Sequence, residues 1–212
     1  MAKEIVVEAE GLKEAERFLF LVNWSIASNH LDFRTVGTGY GFQMAEIIEQ
    51  LRSCISEGLK IDQRADIFQI AKSAPKILYI HDNVGEIAFD KLLIKELIGY
   101  GAIVTSALRG GAITSDATIK DGETVDLQEA ASKIILAGPD TLGISLHEMS
   151  DQLKEELKTS DLIIAKGQAN YYALTEYKPK VPGEIACLFR TKCELVSSEL
   201  GETGKINVAI LL

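Results

Sequence analysis

The chain has 212 residues, of which 47% are hydrophobic, and a formal net charge of −9 at pH 7. This length suits one α/β domain with a helical appendage better than two domains. The acidic charge argues against a nucleic-acid partner because it repels phosphate backbones. The apolar runs are far shorter than the roughly 20 residues that a membrane span requires, and the charged N-terminus lacks the pattern of an export signal. We therefore expect a cytoplasmic protein with no membrane or nucleic-acid partner.

The first part of the chain, residues 1–74, has the residue spacing of helices. Apolar residues recur at helical intervals over 12–27 and over 42–55. A shorter helix is predicted over 63–72 and ends before Pro75, because the residue that precedes a proline avoids the helical conformation. We interpret residues 1–74 as a helical N-terminal part that packs on the core.

The second part, residues 75–212, alternates apolar runs with helical patterns. Strands without polar alternation, separated by helices, are typical of a parallel sheet that is covered on both faces. The apolar runs lie at 76–80, 102–108, 133–137, 161–165, 185–189 and 206–212, and the main helical patterns lie at 86–100, 146–158 and 168–175. These patterns predict an α/β core that forms one structural unit with the helical part.

Polar residues and glycines follow several of the predicted strands. In open parallel sheets the ligand crevice lies at the carboxyl ends of the strands, so these positions are where a site is expected. They are His81, Asp82, Asn83, Gly85 and Glu86 after the first strand, Arg109, Gly110, Gly111, Thr114, Ser115, Asp116 and Thr118 after the second, Gly138 and Asp140 after the third, and Lys166, Gly167, Gln168 and Asn170 after the fourth.

Within this set, Asp82, Asn83 and Asp116 are candidate metal ligands. Two carboxylates and an amide carbonyl offer hard oxygen donors and leave octahedral positions for water and a phosphate oxygen, which suits Mg²⁺ or Mn²⁺. Lys166 could neutralise a phosphate as a point charge, and Arg109 could do so with its planar fork. The sequence therefore predicts a metal site beside two cationic side chains.

Each of these residues also has a simpler interpretation. Taken alone, the Asp82–Asn83 pair is more typical of a helix cap or a turn. Arg109 alone fits a surface salt bridge, and Lys166 alone fits a solvated residue at the start of a helix. The functional interpretation therefore depends on the longer motifs.

Five sequence blocks, in the same order, resemble those of the damage-control phosphatase family, which is also described as acidic-residue or protein-glutamate methyltransferase-like. The blocks are SIASNHLDF (25–33), DNVGEIAFDKLLIKEL (82–97), LRGGAITSDATIKD (108–121), SDLIIAKGQANYYAL (160–174) and FRTKCELVSSELG (189–201). The resemblance implies a three-layer α/β/α sandwich with a mainly parallel sheet and a helical N-terminal part. It also implies hydrolysis of phosphate esters with the help of a divalent cation, Mn²⁺, Co²⁺, Ni²⁺ or Mg²⁺.

The resemblance also implies roles for individual residues. The metal ligands of the family fall on Asp82, Asn83 and Asp116, and its phosphate-contacting lysine falls on Lys166, so we assign catalysis to Asp82 and Lys166. We assign substrate binding to Asn29, Asp32, Glu86, Arg109, Ser115, Lys166 and Asn170. The chain departs from the family at Ala169, where glycine is usual and where we expect a tighter turn beside Lys166.

We therefore expect a metal-dependent phosphatase that acts on phosphate monoesters of small metabolites, such as sugar phosphates or damaged phosphometabolites. Two alternatives stay open: a non-catalytic protein that binds a phosphorylated ligand, and a carboxyl methyltransferase. A methyltransferase is disfavoured because a Gly-rich turn usually follows the first strand of a nucleotide site, whereas this chain has HDNVGE there. Whether water or Asp82 is the nucleophile, and whether the chain forms a homo-oligomer, is left open.

Overall fold

The computed structural model describes residues 2–31, 44–141, 143–145 and 147–212. The helices are α1 (Ala2–Glu10), α2 (Glu14–Ser28), α3 (Met44–Ser56), α4 (Arg64–Ser73), α5 (Ile87–Gly99), α6 (Ile119–Thr124), α7 (Asp151–Thr159), α8 (Gln168–Tyr177) and α9 (Glu194–Glu199). The strands are β1 (Ile61–Asp62), β2 (Lys76–Ile80), β3 (Ile103–Arg109), β4 (Lys133–Gly138), β5 (Leu162–Lys166), β6 (Glu184–Arg190) and β7 (Asn207–Leu211). Short 3₁₀ helices lie at Leu127–Glu129 and Lys178–Lys180.

The strands form one seven-stranded sheet in the order β1-β7-β6-β5-β2-β3-β4. All neighbouring strands are parallel except β6 and β7. The central strands are apolar because both of their faces are buried. On β2, for example, Ile77 and Tyr79 belong to one core cluster, and Leu78 and Ile80 belong to the other. This alternation is the two-residue period of a strand.

Helices cover both faces of the sheet, which confirms the α/β/α sandwich. One cluster is formed with apolar residues of α1 to α5, including Phe18 of α2, Ile67 of α4 and Leu93 of α5. The other is formed with residues of α7, α8 and α9, such as Leu153 and Leu174. The helical N-terminal part thus shares a core with the sheet, and the division after residue 74 stays a prediction.

The main differences from the sequence-based expectations lie at element ends. The helix predicted over 146–158 begins at Asp151, because the Ser150 side chain accepts a hydrogen bond from the backbone N–H of Leu153 (3.0 Å) and caps the helix there. Residues 42 and 43 of the helix predicted over 42–55 lie outside the described residues. The helix α1 lies within the part predicted as helical but outside the two apolar patterns, and α6, α9 and the two-residue β1 are too short to give a periodic pattern.

The centre of the sheet is a topological switch point. Strand β2 pairs with β3 on one side and with β5 on the other, so the chain leaves β2 in one direction and later returns on its opposite edge. Ligand crevices of open α/β sheets lie outside the carboxyl ends of the two strands at such a point. Among the described residues, no helix is long and apolar enough to cross a bilayer.

Candidate active site

Two loops meet above the carboxyl ends of β2 and β3. The backbone N–H of Ala117 donates to the carbonyl of Asp82 (2.7 Å), and Asn83 pairs with Asp116 in an isolated antiparallel bridge. The hydroxyl of Ser115 donates to Oδ1 of Asn83 (2.8 Å). These bonds bring together the three residues that the sequence predicts as metal ligands, although they come from loops more than thirty positions apart in the sequence.

The carboxylate of Asp82 is buried and held on one side only. Its Oδ2 accepts hydrogen bonds from the amide groups of Asn29 (3.0 Å) and Asn83 (2.8 Å). Its Oδ1 accepts no hydrogen bond from the described part of the chain. Burial and the neighbouring Glu86 carboxylate raise the pKa of Asp82 to about 7. The burial of Asp82 and the nearby Glu86 charge therefore disfavour the ionised form of this carboxylate.

Glu86 links the Asp82 loop to the end of α2. It is the residue before α5, and its Oε1 accepts from the backbone N–H of Asn83 (2.9 Å), from the Asn83 amide (2.8 Å) and from the Asn29 amide (2.9 Å). Its Oε2 accepts from the ammonium of Lys166. Glu86 thus fixes the orientation of one candidate ligand, Asn83, from the side away from solvent.

Lys166 is fully buried, so its interpretation as a solvated residue is wrong. Its ammonium donates to the carbonyl of Ser25 (2.8 Å), to Asp90 Oδ1 (3.1 Å) and to Glu86 Oε2. Burial alone would lower the pKa of Lys166, but the Asp90 and Glu86 carboxylates outweigh it and raise the pKa. The ammonium is therefore charged, with three protein acceptors. Its contact with a substrate phosphate stays a prediction.

Arg109 is also buried, at 2% exposure, so it is not a surface salt-bridge residue. Its Nε donates to Oδ2 of Asp116 (3.0 Å) and its Nη2 donates to Oδ1 of Asn170 (3.1 Å). The Asn170 amide in turn donates to the carbonyl of Lys166 (2.7 Å). Arg109 therefore connects the Asp116 loop to the first turn of α8.

The described residues of the sequence-predicted site thus form one connected cluster; Asp32 lies outside the described residues. No group of three His, Cys, Asp or Glu side chains in the described part of the chain is arranged to hold a metal ion. The candidate donor set is of another kind, two carboxylates and the amide oxygen of Asn83.

Ala169, where the family usually has glycine, packs against Gly143 of another loop. A Cβ atom added at Gly143 would lie 2.9 Å from the Ala169 methyl, so the absence of a side chain at Gly143 leaves space for this methyl.

Sequence reasoning missed Lys192, whose Nζ lies 4.0 Å from Oδ2 of Asp82. The Lys192 side chain is 33% exposed, unlike the buried Lys166. It follows β6, which is parallel to β5 and ends at the same edge of the sheet. The strand-end rule would have found Lys192 if it had been applied to the predicted strand at 185–189.

Fold and site together define the class of this protein: an α/β sandwich with a charged, oxygen-rich cluster at the switch point of its sheet. The family model for the damage-control phosphatase ARMT1-like domain matches residues 1–206, and the chain belongs to this family. The fold and the family that the sequence blocks imply are thereby confirmed.

Individual relatives agree with this assignment. An uncharacterized protein of Methanocaldococcus jannaschii is 37% identical over 93% of this chain and 64% of its own length. A damage-control phosphatase of Archaeoglobus fulgidus is 35% identical over 95% of this chain and 66% of its own length. The crystal structure of a DUF89 family protein from Pyrococcus horikoshii superposes with a TM-score of 0.81 and 31% identity, covering 99% of this chain and 70% of that one. The chain thus spans just under two thirds of these two curated relatives.

Proposed function

We propose that this chain is a metal-dependent phosphatase that hydrolyses phosphate monoesters of small metabolites, such as sugar phosphates or damaged phosphometabolites. The observation that carries the proposal is the backbone pairing of two loops, which gathers Asp82, Asn83 and Asp116 at the switch point of the sheet. Membership of the damage-control phosphatase family supports a phosphatase role.

The charges of the cluster fit a cation. Among the described residues of the cluster, the buried carboxylates outnumber the buried lysine and arginine side chains; the carboxylates are Asp82, Glu86, Asp90 and Asp116, and the cations are Lys166 and Arg109. Buried negative charge without a partner is costly, and a divalent ion offsets it. Oxygen donors of this kind suit Mg²⁺ and Mn²⁺. In our proposal Asp82, Asn83 and Asp116 hold the ion, which supplies polarisation of a phosphoryl oxygen and activation of water.

The residues around the ligands would position the phosphate ester. Lys192, whose Nζ lies 4.0 Å from Oδ2 of Asp82, would meet the negative charge of the phosphoryl group. Helix α8 begins at Gln168, and no side chain caps its N-terminus. Its first backbone N–H groups and the helix dipole favour the binding of an anion there. The Lys166 ammonium would hold the Glu86 carboxylate in place, because it donates a hydrogen bond to it. The Arg109 guanidinium would hold Asp116 in the same way.

Two phosphoryl acceptors are compatible with this arrangement, namely water and the Asp82 carboxylate. Asp82 directly follows His81 at the end of β2, and its Oδ1 has no donor among the described residues. A single-turnover reaction quenched with acid separates the two routes. Phosphate trapped on the protein, and lost in Asp82→Asn, would indicate the covalent route, and its absence in an active protein would indicate water.

The proposal is tested with protein stripped of metal by a chelator. Hydrolysis of p-nitrophenyl phosphate is measured without metal and with added Mn²⁺, Co²⁺, Ni²⁺ or Mg²⁺, and then a panel of phosphorylated metabolites is screened with the best ion. We expect activity that requires the ion and is lost in Asp116→Asn. Binding of a phosphorylated metabolite without turnover would instead indicate a ligand-binding protein. Binding of S-adenosylmethionine would indicate a methyltransferase.

A further inference from the structure

A buried carboxylate behind the site, Asp90, has no part in the chemistry described so far. Its Oδ1 accepts hydrogen bonds from the hydroxyls of Ser25 (2.7 Å) and Tyr79 (2.8 Å) and from the ammonium of Lys166 (3.1 Å). Nδ1 of His81 lies 3.2 Å from its Oδ2, where an N–H can donate to the carboxylate. Asp90 is fully buried, and four groups from three separate elements converge on it.

Three of these four partners are closely followed in sequence by a residue of the candidate site. His81 directly precedes Asp82, Lys166 directly precedes Gly167, and Ser25 lies one helical turn before Asn29. Asp90 therefore contacts β5, the end of β2 and the last part of α2, each next to the point where that element enters the site.

Asp90 also lies one turn after Glu86 along the chain, at the i+4 position that brings side chains to one face of a helix. Both carboxylates contact the Lys166 ammonium. If the charge of Asp90 is removed, Glu86 is the one carboxylate that the described part of the chain leaves beside the Lys166 ammonium. The ammonium is then free to shift toward Glu86, whose Oε1 fixes the Asn83 amide.

We propose that Asp90 is a positioning residue for catalysis: it joins β2, β5 and α2 so that Asp82, Gly167 and Asn29 keep the arrangement that the reaction needs. This inference rests on the proposed function. Catalytic groups must be held within about 0.5 Å of their productive geometry. Weaker contacts around Asp90 therefore lower the rate even though Asp90 touches no substrate.

The chain offers a matched control, Glu156, a buried carboxylate at the other edge of the sheet. It is 4% exposed, and it pairs with Lys76 (3.0 Å) and Lys133 (2.9 Å), the first residues of β2 and β4. Glu156→Gln and Asp90→Asn both replace a buried, ion-paired carboxylate with an amide of the same shape. Only Asp90 lies behind the site.

The test compares the wild type, Asp90→Asn and Glu156→Gln in the metal-supplemented p-nitrophenyl phosphate assay, with thermal unfolding measured for each. We expect Asp90→Asn to lower kcat by about 10- to 100-fold with KM changed less than threefold, and Glu156→Gln to keep kcat within about twofold. Tyr79→Phe removes one of the four bonds and keeps the ring, so it covers the case in which Asp90→Asn does not fold. We expect it to lower kcat by about three- to tenfold.

Calorimetric titration with Mn²⁺ adds a measurement that does not require turnover. We expect Asp90→Asn to weaken Mn²⁺ binding at least threefold and Glu156→Gln to leave it unchanged. If Asp90→Asn has the kcat and the Mn²⁺ affinity of the wild type, the role of Asp90 is overturned while the proposed function stands. If only Tyr79→Phe folds, the same comparison is made with that variant. A wild type that binds Mn²⁺ but hydrolyses no phosphate ester would overturn the proposed function, and the calorimetric comparison would then decide whether Asp90 positions the Mn²⁺ site.

Discussion

Gly167 lies directly against the carboxylate of Asp82: a Cβ atom at Gly167 would lie 2.0 Å from Oδ2 of Asp82. Gly167 also has φ = 82° and ψ = 154°, a conformation that is essentially restricted to glycine. Two independent constraints therefore require glycine at the turn between β5 and α8. One is the backbone conformation, and the other is the space that the Asp82 side chain needs.

Gly167→Ala should therefore impair both stability and the site. We expect a loss of about 1–3 kcal/mol in the free energy of unfolding from the backbone strain alone, together with a large loss of Mn²⁺ affinity because Asp82 must move. The matched control is Gly101→Ala, because Gly101 has φ = 93° but no heavy atom within 4 Å of an added Cβ. Gly101→Ala should lower the melting temperature and leave Mn²⁺ binding intact. Equal Mn²⁺ affinity in the two variants would argue against Asp82 as a ligand.

Asp116 pairs with Arg109 and, in our proposal, also holds the metal ion, and its substitutions should separate these two roles. In Asp116→Ala the buried guanidinium of Arg109 loses its carboxylate, so this variant should lose about 3–5 kcal/mol of stability as well as activity. Asp116→Asn keeps an oxygen acceptor for Arg109 and should stay folded with a smaller loss of stability. We nevertheless expect its metal-dependent activity to fall at least a hundredfold. Urea unfolding and kinetics at saturating Mn²⁺ test this, and an active Asp116→Asn variant would contradict the metal assignment.

The sequence was sufficient to predict that Asp82, Asn83 and Asp116 lie together, because all three follow strands of one parallel sheet. Strands without charges predicted a parallel sheet, and the polar residues after each strand predicted where Asp82, Asn83 and Asp116 would meet. What strand-end reasoning could not predict was burial. Lys166 and Arg109 are interpreted from sequence as exposed or substrate-facing cations, yet both are buried against carboxylates. The partners of the Lys166 ammonium lie 76 to 141 residues away in the chain.

The contacts of Asp90 with its four buried partners could not be predicted from the sequence for a related reason. Asp90 lies in the first turn of a helical pattern, where an acidic residue is expected because it stabilises the helix itself. Its partners Ser25 and Tyr79 are likewise ordinary residues of a helix and a strand. Only the packing of α2 and α5 on the sheet brings them together. The spacing of apolar residues predicts which helices and strands form, but it does not predict which polar groups meet between them.

The stability of the protein in acid should depend on Asp90. Burial alone would raise the pKa of Asp90, but the Lys166 ammonium and His81 outweigh it and lower the pKa to about 2, against about 3.9 in an unfolded chain. As the pH falls, the unfolded state takes up this proton first. The stabilisation is therefore full above about pH 5 and nearly so at about pH 4, it is lost toward about pH 2, and it amounts to about 2.6 kcal/mol.

Urea unfolding of the wild type and Asp90→Asn between about pH 2.5 and pH 6 measures this contribution. We expect the difference in the free energy of unfolding between the two proteins to be nearly constant from about pH 6 to pH 4 and to shrink below that. If the difference in the free energy of unfolding stays the same down to about pH 2.5, Lys166 and His81 do not lower the pKa of Asp90.

Lys166 and Lys192 should have separable roles, because one is buried behind the site and the other lies at its open side. Lys166→Met removes the charge that pairs with Glu86 and Asp90, and leaving buried carboxylates unpaired costs about 3–5 kcal/mol. We therefore expect this variant to unfold at a clearly lower urea concentration. Its loss of activity would then follow from a damaged site, with Mn²⁺ binding weakened as well.

Lys192→Ala should instead lower the turnover of a phosphate ester. A charge-assisted contact is worth about 1.5–3 kcal/mol, so we expect kcat/KM for a phosphate ester to fall about 10- to 100-fold, with the melting temperature within about 2 °C of the wild type. Mn²⁺ affinity should be unchanged or slightly higher, because a positive charge 4.0 Å from Asp82 is removed. Lys154→Ala, which removes a partly exposed ammonium on α7 that pairs with Asp151 of the same helix, is the control and should leave kcat/KM unchanged. If Lys192→Ala retains wild-type kcat/KM while Lys166→Met binds Mn²⁺ normally and loses activity, the phosphate contact belongs to Lys166.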